Sequence, residues 1–188
     1  MSEAPDAAAP GATGRDLIEG LRAADGSLDR AAISTLLPYG DEFLFVDAVS
    51  RIGPREIEAS YRVPTDAPYL RAHFRELAVM PGALIAEGWA QAGTLVVRYH
   101  LEDPAAKLVV ALQIERARFS RPAFPGDTLV YEARLGSRDS RAARLEGEVR
   151  VAGRRVARLQ VVVGITTHDA LRRQLGKRGA RNLAEGSS

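Results

Sequence analysis

The stretch from Pro81 to Tyr99 constrains this chain more than any other. It has the length of a helix, and its apolar side chains (Leu84, Ile85, Trp89, Leu95, Val96 and Val97 among them) fall on nearly every side. A helix of that kind is stable only when buried within a fold. Pro81 suits the first helical position, because the N–H that it lacks would go unpaired there. Gly82, Gly88 and Gly93 each lower helix propensity, which predicts that strands approach the helix closely at those points. The rest of the chain must therefore wrap this helix. After Pro104 the sequence alternates with period two, and Val110, Leu112 and Ile114 are expected to share one face. Leu129, Tyr131, Ala133 and Leu135 repeat the pattern, as do Ala143, Leu145, Val149 and Val151, and then Ala157, Leu159, Val161 and Val163. Turn signals at Pro125-Gly126, Gly136–Ser140 and Ala152-Gly153 predict a meander of antiparallel hairpins with one wet face. Two further strands, Phe43–Val49 and Ile57–Val63, are expected before the helix, separated by Gly53-Pro54. The sum is an α+β chain, a single antiparallel sheet around one long helix.

The remaining segments read as periphery. Residues 1–12 are rich in Ala, Pro and Gly and are expected to be disordered. Thr13–Ala24 and Leu28–Leu37 predict short helices, the second with Asp29 near its start and Pro38 as its stop. Asp66–Arg75 reads as a loop, and His168–Leu175 as a last helix before a basic tail. The expected organisation is an N-terminal extension over 1–28, one domain over 29–166 and a helix with tail over 167–188.

Composition excludes several classes. The 188 residues include no cysteine, so there is no disulfide framework, thiolate metal site or cysteine nucleophile. Residues 1–14 lack the basic start and apolar run of a secretory signal. Leu77–Val97, the most apolar stretch, holds Pro81, Glu87, Gln91 and three glycines, against a membrane span. These features fit a cytoplasmic protein. The formal net charge of +2 is unevenly spread. Residues 1–115 carry 10 basic and 17 acidic side chains (net −7), and residues 116–188 carry 16 and 7 (net +9). The second half either solvates its strands with arginine or offers a positive surface to an acidic macromolecule. Aromatic residues are scarce there and no nucleic-acid recognition motif accompanies the arginines.

Three features can carry chemistry. Glu87 sits mid-helix among apolar neighbours, where an unpaired carboxylate is costly. It either pairs with an arginine or faces a dimer contact, or it acts as an acid. With Gln91 and Thr94 it occupies i, i+4 and i+7, one polar stripe. His73 lies in the loop before the helix and can serve as a base or stand as a structural histidine. No two histidines have zinc spacing, so no metal site is expected. The amides at Gly82 open the helix unpaired, and with the helix dipole they can polarise a carbonyl oxygen.

The run Ala72-His73-Phe74-Arg75-Glu76, three residues, then Met80-Pro81-Gly82, with Glu87 fourteen residues after His73 and Ala90-Gln91 beyond it, resembles the active-site segment of the 3-hydroxyacyl-[acyl-carrier-protein] dehydratases. Leu36-Leu37-Pro38 with Phe43-Leu44-Phe45-Val46-Asp47 is similar to that family's opening strand. Arg116-Ala117-Arg118-Phe119, Arg121-Pro122 and Pro125-Gly126-Asp127 are similar to its strand and turn after the helix. The resemblance covers about Ile33 to Gly164. It implies a hot-dog fold and a homodimer, with trimers of dimers also occurring. It places His73 of one subunit opposite Glu87 of its partner, with no cofactor. The implied reaction removes water from a (3R)-3-hydroxyacyl thioester to give the trans-2-enoyl thioester, in fatty-acid or related acyl-chain biosynthesis. In that scheme His73 takes the proton beside the thioester carbonyl, the Gly82 amide holds the carbonyl oxygen and Glu87 protonates the departing hydroxyl. Phe74, Met80, Pro81 and Gln91 are expected to line the site or its acyl tunnel. The acidic carrier protein is expected to dock on arginines such as Arg116, Arg121, Arg154 and Arg155.

Where the family has Gly before the His, this chain has Ala72; where the family has Pro-Gly after His-Phe, it has Arg75-Glu76, which sets charges beside the expected base. A hot-dog thioesterase using Glu87 with water, and a non-catalytic acyl-thioester binding protein, are the alternative readings.

Overall fold

The computed structural model describes residues 11–74, 76–174 and 176. Its elements are α1 (Gly14–Gly20), α2 (Arg30–Leu36), β1 (Ala48–Ile52), β2 (Glu56–Arg62), α3 (Pro68–Ala72), α4 (Gly82–Arg98), β3 (Lys107–Phe119), β4 (Thr128–Arg138), β5 (Ala142–Val151) and β6 (Arg154–Thr167). Residues 168–174 are helical. Residues 1–10, Leu175 and most of the basic tail lie outside the described residues.

The six strands form one antiparallel sheet in the order β1-β2-β4-β5-β6-β3, and α4 lies along its concave face. This is the hot-dog architecture. Trp89, Ala92, Leu95, Val96 and Val97 of α4 are enclosed against Leu129, Tyr131, Ala133, Leu145, Ala157 and Leu159, which the expected alternation brings to one face. Glycine sets the separation. A Cβ on Gly88 would stand 2.3 Å from the Tyr131 hydroxyl and 2.9 Å from Phe45 Cβ, and one on Gly93 would stand 2.8 Å from Leu145 Cδ1. The close strand approach expected at these glycines is therefore present at both. No described helix is long and apolar enough to cross a membrane.

The structure corrects the sequence reading in five places. First, 43–47 is not strand: a short 3-10 helix covers Asp41–Phe43, and β1 begins only at Ala48. Side chains satisfy this segment's backbone where a ladder would have done so. The Arg30 guanidinium donates to the carbonyls of Asp41, Leu44 and Val46 and to the Asp47 carboxylate, while Gln91 takes both Phe43 and Phe45. Second, part of the expected loop 66–75 is a helical turn, α3, with Pro68 in its first turn and Leu70 buried. Third, α1 stops at Gly20, short of Ala24. Its N-terminus is locked by a capping box between Thr13 and Asp16, but the C-cap at Leu21 leads straight into the Asp25-Gly26 turn. Fourth, Pro81 caps α4 from outside and Gly82 is the first helical residue.

Fifth, β3 and β4 do not form a hairpin. β3 pairs with β6 at the far edge, so the chain crosses the sheet between them. Pro125-Gly126 is still a turn, but it is stitched to the end of β2: Gly126 N–H donates to the Val63 carbonyl (2.9 Å) and Val63 N–H to the Asp127 carbonyl (2.8 Å). β4–β5 and β5–β6 are hairpins as expected, the latter turning at Ala152 and Gly153, both with positive φ. In β3, bulges between Ala111 and Gln113 and between Ile114 and Arg116 break the simple alternation. Ala111, Ile114, Ala117 and Phe119 oppose inward-facing Val163, Val161, Leu159 and Ala157, whereas Gln113, Arg116 and Arg118 oppose outward residues. Residues 111–120 are exposed throughout.

Gly88→Ala is expected to destabilise the protein by about 1–3 kcal/mol, the usual cost of overpacking. Tyr131→Phe removes the atom nearest the new methyl, and its buried hydroxyl has no described partner. The double variant should recover part of the loss. Urea unfolding midpoints of the four proteins measure both effects.

Candidate active site

α3 and the loop after it deliver His73. Its backbone N–H caps α3 by donating to the Tyr69 carbonyl (3.1 Å), and its carbonyl accepts from Val79 N–H (3.0 Å). The ring is half-buried, stacks on Phe74 at 4.2 Å, and has Nδ1 3.0 Å from the Val79 carbonyl. A carbonyl can only accept, so Nδ1 is the donor in this bond; in the neutral ring Nε2 then holds the lone pair that a general base requires. Phe74 itself is exposed, as is Glu76, whereas Arg75 lies outside the described residues.

The loop is then pinned by buried Met80, whose N–H donates to the Ala123 carbonyl (2.9 Å). α4 starts immediately afterwards with no side-chain cap. Leu84 and Ile85 N–H both donate to the Pro81 carbonyl, while the Gly82 and Ala83 amides have no acceptor among the described residues. These amides stand at the positive end of a 17-residue helix. A Cβ at Gly82 would lie 3.3 Å from the Phe119 ring. That ring forms a wall beside the amides, and β3's bulges turn it to the concave side.

One turn and a half further, Glu87 is half-buried, less enclosed than an all-round apolar helix suggests. Its Oε1 accepts from Gln91 Nε2 at 3.0 Å. Gln91 is 1% exposed. Its Nε2 also donates to the Phe43 carbonyl (2.8 Å) and its Oε1 accepts from Phe45 N–H (2.9 Å). Gln91 thus holds Glu87 to the segment before β1. No arginine pairs with Glu87 among the described residues. The polar stripe ends at Thr94, which is buried. Burial, and then the charge of Glu87, push the Tyr39 phenol up, which puts Tyr39 in the field of the carboxylate.

Within one chain His73 and Glu87 share no hydrogen bond; each is oriented by its own partners. Tyr39 and Phe119 were not singled out as site residues by sequence reasoning. The anchoring of Gln91 through the Phe43 and Phe45 backbone was also invisible to it, since side-chain patterning carries no record of backbone acceptors.

A long helix with an open, amide-rich first turn, wrapped by one antiparallel sheet, defines a hot-dog protein. A FabA-like domain matches residues 37–160. The chain is 36% identical over 135 residues to the 3-hydroxyacyl-[acyl-carrier-protein] dehydratase FabZ of Solibacter usitatus, covering 72% of this chain and 83% of that one. It is 35% identical over 146 residues to FabZ of Myxococcus xanthus, covering 76% and 95%. The chain belongs to the FabA-like family of 3-hydroxyacyl-[acyl-carrier-protein] dehydratases. Among solved structures it is similar in fold to a chain of the dehydratase heterocomplex ApeI:P from Xenorhabdus doucetiae (TM-score 0.63, 19% identity, 76% of this chain and 96% of that one). It is also similar in fold to a thioesterase from Haemophilus influenzae (TM-score 0.51, 20% identity, 66% and 80%).

Gln91→Leu keeps the volume but strips three hydrogen bonds, leaving the Phe45 N–H and Phe43 carbonyl unpaired. A loss of about 1–3 kcal/mol is expected, because an unmade bond to a buried group costs its desolvation. Thermal unfolding beside Gln91→Glu, which keeps the acceptor for Phe45 but loses the donor, checks it.

Proposed function

We propose that this chain removes water from (3R)-3-hydroxyacyl-[acyl-carrier-protein] to give the trans-2-enoyl thioester, in an acyl-chain biosynthetic pathway, through a site completed by a second copy. The observation that carries the reading is the grouping of a histidine with free Nε2, unpaired amides at Gly82 and an un-ion-paired carboxyl about 7.5 Å further along the helix axis, at ~1.5 Å per residue. Cytoplasmic residence is part of the reading and fits a chain without cysteine.

The reaction follows from these groups. His73 Nε2 takes the proton on the carbon next to the thioester carbonyl. The electron pair moves toward the carbonyl oxygen, where the Gly82 N–H donates to the developing oxyanion. The pair then returns to form the double bond between the second and third carbons as the C–O bond at the third carbon breaks, and the Glu87 carboxyl delivers its proton to the leaving hydroxyl, which departs as water. The proton gained by His73 replaces the one lost by Glu87 before the next turnover. Phe119 and Ile114, on the concave side of β3, supply apolar wall for the acyl chain, together with Phe74, Met80 and Pro81.

β3 is the edge at which a second copy would join. This edge strand has 13 residues, and one of its sides is unpaired among the described residues. A long unpaired edge is a template for pairing with another strand. Ile114 (59% exposed), Phe119 and Leu77 lie open. The α4 strip Ala83, Glu87 and Ala90, at i, i+4 and i+7, is covered only in part by the chain's own sheet. Antiparallel pairing of β3 with its copy covers these residues and brings His73 of one protomer toward the partner's Glu87.

His73→Ala and Glu87→Gln should each lower kcat by roughly 10²-fold or more, the usual loss for a positioned acid or base. Mixing the two inactive variants under subunit exchange should restore activity at one site per mixed dimer. Sedimentation of the wild type separates a dimer from a trimer of dimers. Normal turnover in either variant sinks the chemical assignment, and no recovery on mixing sinks the shared site.

The carrier protein is assigned to the arginine end of the sheet. Arg118 stands opposite Arg158 across β3 and β6, one residue from Phe119, and Arg116, Arg121 and Arg154 flank them. None of these five pairs with a carboxylate among the described residues, whereas Arg155 holds Glu148 at 3.3 Å. Reversing Arg116, Arg121 and Arg154 to Glu should raise KM for carrier-linked substrate at least ~10-fold at low salt, with little effect near 1 M where charges are screened. A pantetheine-linked substrate should be unaffected.

A further inference from the structure

We propose that the cavity at the C-terminal end of α4 binds a small organic anion with an apolar body, a carboxylate or phosphate ester, at a site apart from His73 and Glu87. The cavity has a volume of about 500 Å³ and lies between the end of α2, the end of α4, the start of β3 and the turn of chain after β6. Arg98, Lys107 and His168 line it, and no Asp or Glu does. Leu36, Leu37 and Leu108 supply apolar wall beside them.

Arg98 gives the cavity its chemistry. It is only 8% exposed, and a buried guanidinium ordinarily meets a carboxylate, because an uncompensated charge in the interior is costly. Here it meets none among the described residues. Its Nη2 donates to the Pro104 carbonyl at 3.2 Å and its Nη1 reaches the Lys107 carbonyl only at 3.5 Å. Nε is buried with no partner among the described residues. The negative end of the α4 dipole offsets part of the charge, but burial still pushes the guanidinium's pKa down. Lys107 and His168 add to the imbalance, being adjacent through the Lys107–Thr167 pairing of β3 with β6. The nearby carboxylates do not relieve it. Glu102, Asp103 and Asp169 are exposed and outside the cavity wall, and Asp169 faces Arg172 at 3.9 Å. A cavity with two permanent cations, a titratable third and no acid is completed by an anion. Its volume exceeds that of a bare ion and falls in the range of small-molecule sites, and its leucines call for an apolar tail.

Isothermal titration of the full chain with octanoate, octyl phosphate and octan-1-ol tests this. Both anions should bind, the alcohol at least ~10-fold more weakly, and affinity should fall with salt. Preference for one anion identifies the head group. Octanoate can also enter the acyl site, so the titrations are repeated on two further proteins. Lys107→Ala with His168→Ala, which spares the buried Arg98, should weaken anion binding about 10-fold, the effect of removing two partly screened charges. Glu87→Gln, at the acyl site, should keep the wild type's preference for the anions over octan-1-ol, although Tyr39 of the cavity wall lies in the field of Glu87. The inference is overturned if neither anion binds at millimolar concentration, if octan-1-ol binds as well as they do, or if the Lys107/His168 variant binds like the wild type.

Discussion

The approach of α4 to β4 and β5 at near-backbone distance is the contact on which the rest of this structure depends. At Gly88 and Gly93 the helix presents no side chain, so Tyr131, Phe45 and Leu145 occupy the space that a methyl would take. The Trp89 indole lies between them in sequence and donates to the Glu132 carbonyl at 2.8 Å, so the helix is both packed against the sheet and hydrogen-bonded to its backbone. Two glycines inside one helix cost roughly 1.6–2 kcal/mol in propensity relative to alanine. Burial of Trp89, Leu95, Val96 and Val97 outweighs this, since each large apolar side chain contributes about 1.5–3 kcal/mol. The helix axis is thereby fixed, and with it the direction in which the Gly82 amides and Glu87 point.

Gln91 transmits that rigidity to the polar half of the site. Its amide satisfies a carbonyl and an N–H of a segment that has no ladder of its own, and the same nitrogen reaches Glu87. Arg30 secures the other carbonyls of that segment. Two side chains do here what a strand partner does elsewhere, and the result is a loop stiff enough to hold a carboxyl. His73 is held by the same means, through the Val79 carbonyl and the end of α3. Neither group depends on the other for its orientation.

Much of this was legible in the sequence, and the parts that were not share a cause. The all-round apolar character of 81–99 follows directly from burial within the fold and the period of 2 in β4, β5 and β6 from burial on one face, and the glycines of α4 marked the strand contacts in advance. His73, Gly82, Glu87 and Gln91 stood out in the sequence because chemistry is carried by residue type and spacing. The segment 43–47 looked like strand because Phe43, Phe45 and Val46 suit one. Its actual state is decided by Arg30 and Gln91, 13 and 48 residues away from Phe43, and no local pattern encodes such partners. The β3–β4 link was read as a hairpin from a good turn signal, yet Pro125-Gly126 turns against Val63, and only the sheet order shows where β3 goes.

β3 shows the same principle at the level of the whole molecule. Its residues alternate in the sequence as though one face were buried, but two bulges shift the register and the strand is open on both faces. An edge of 13 residues with Ile114 and Phe119 uncovered is a poor terminus for a sheet, and β1, the opposite edge, is short and bridged at Val49 to Leu28. One edge is thus blunted and the other is not. The bulges turn Phe119 toward Gly82 while Arg116 and Arg118 face outward. A single strand therefore carries an apolar wall beside the reactive amides on its concave side and arginines on its convex side. The pairing of β3 with its copy proposed above would enclose the first and leave the second facing outward.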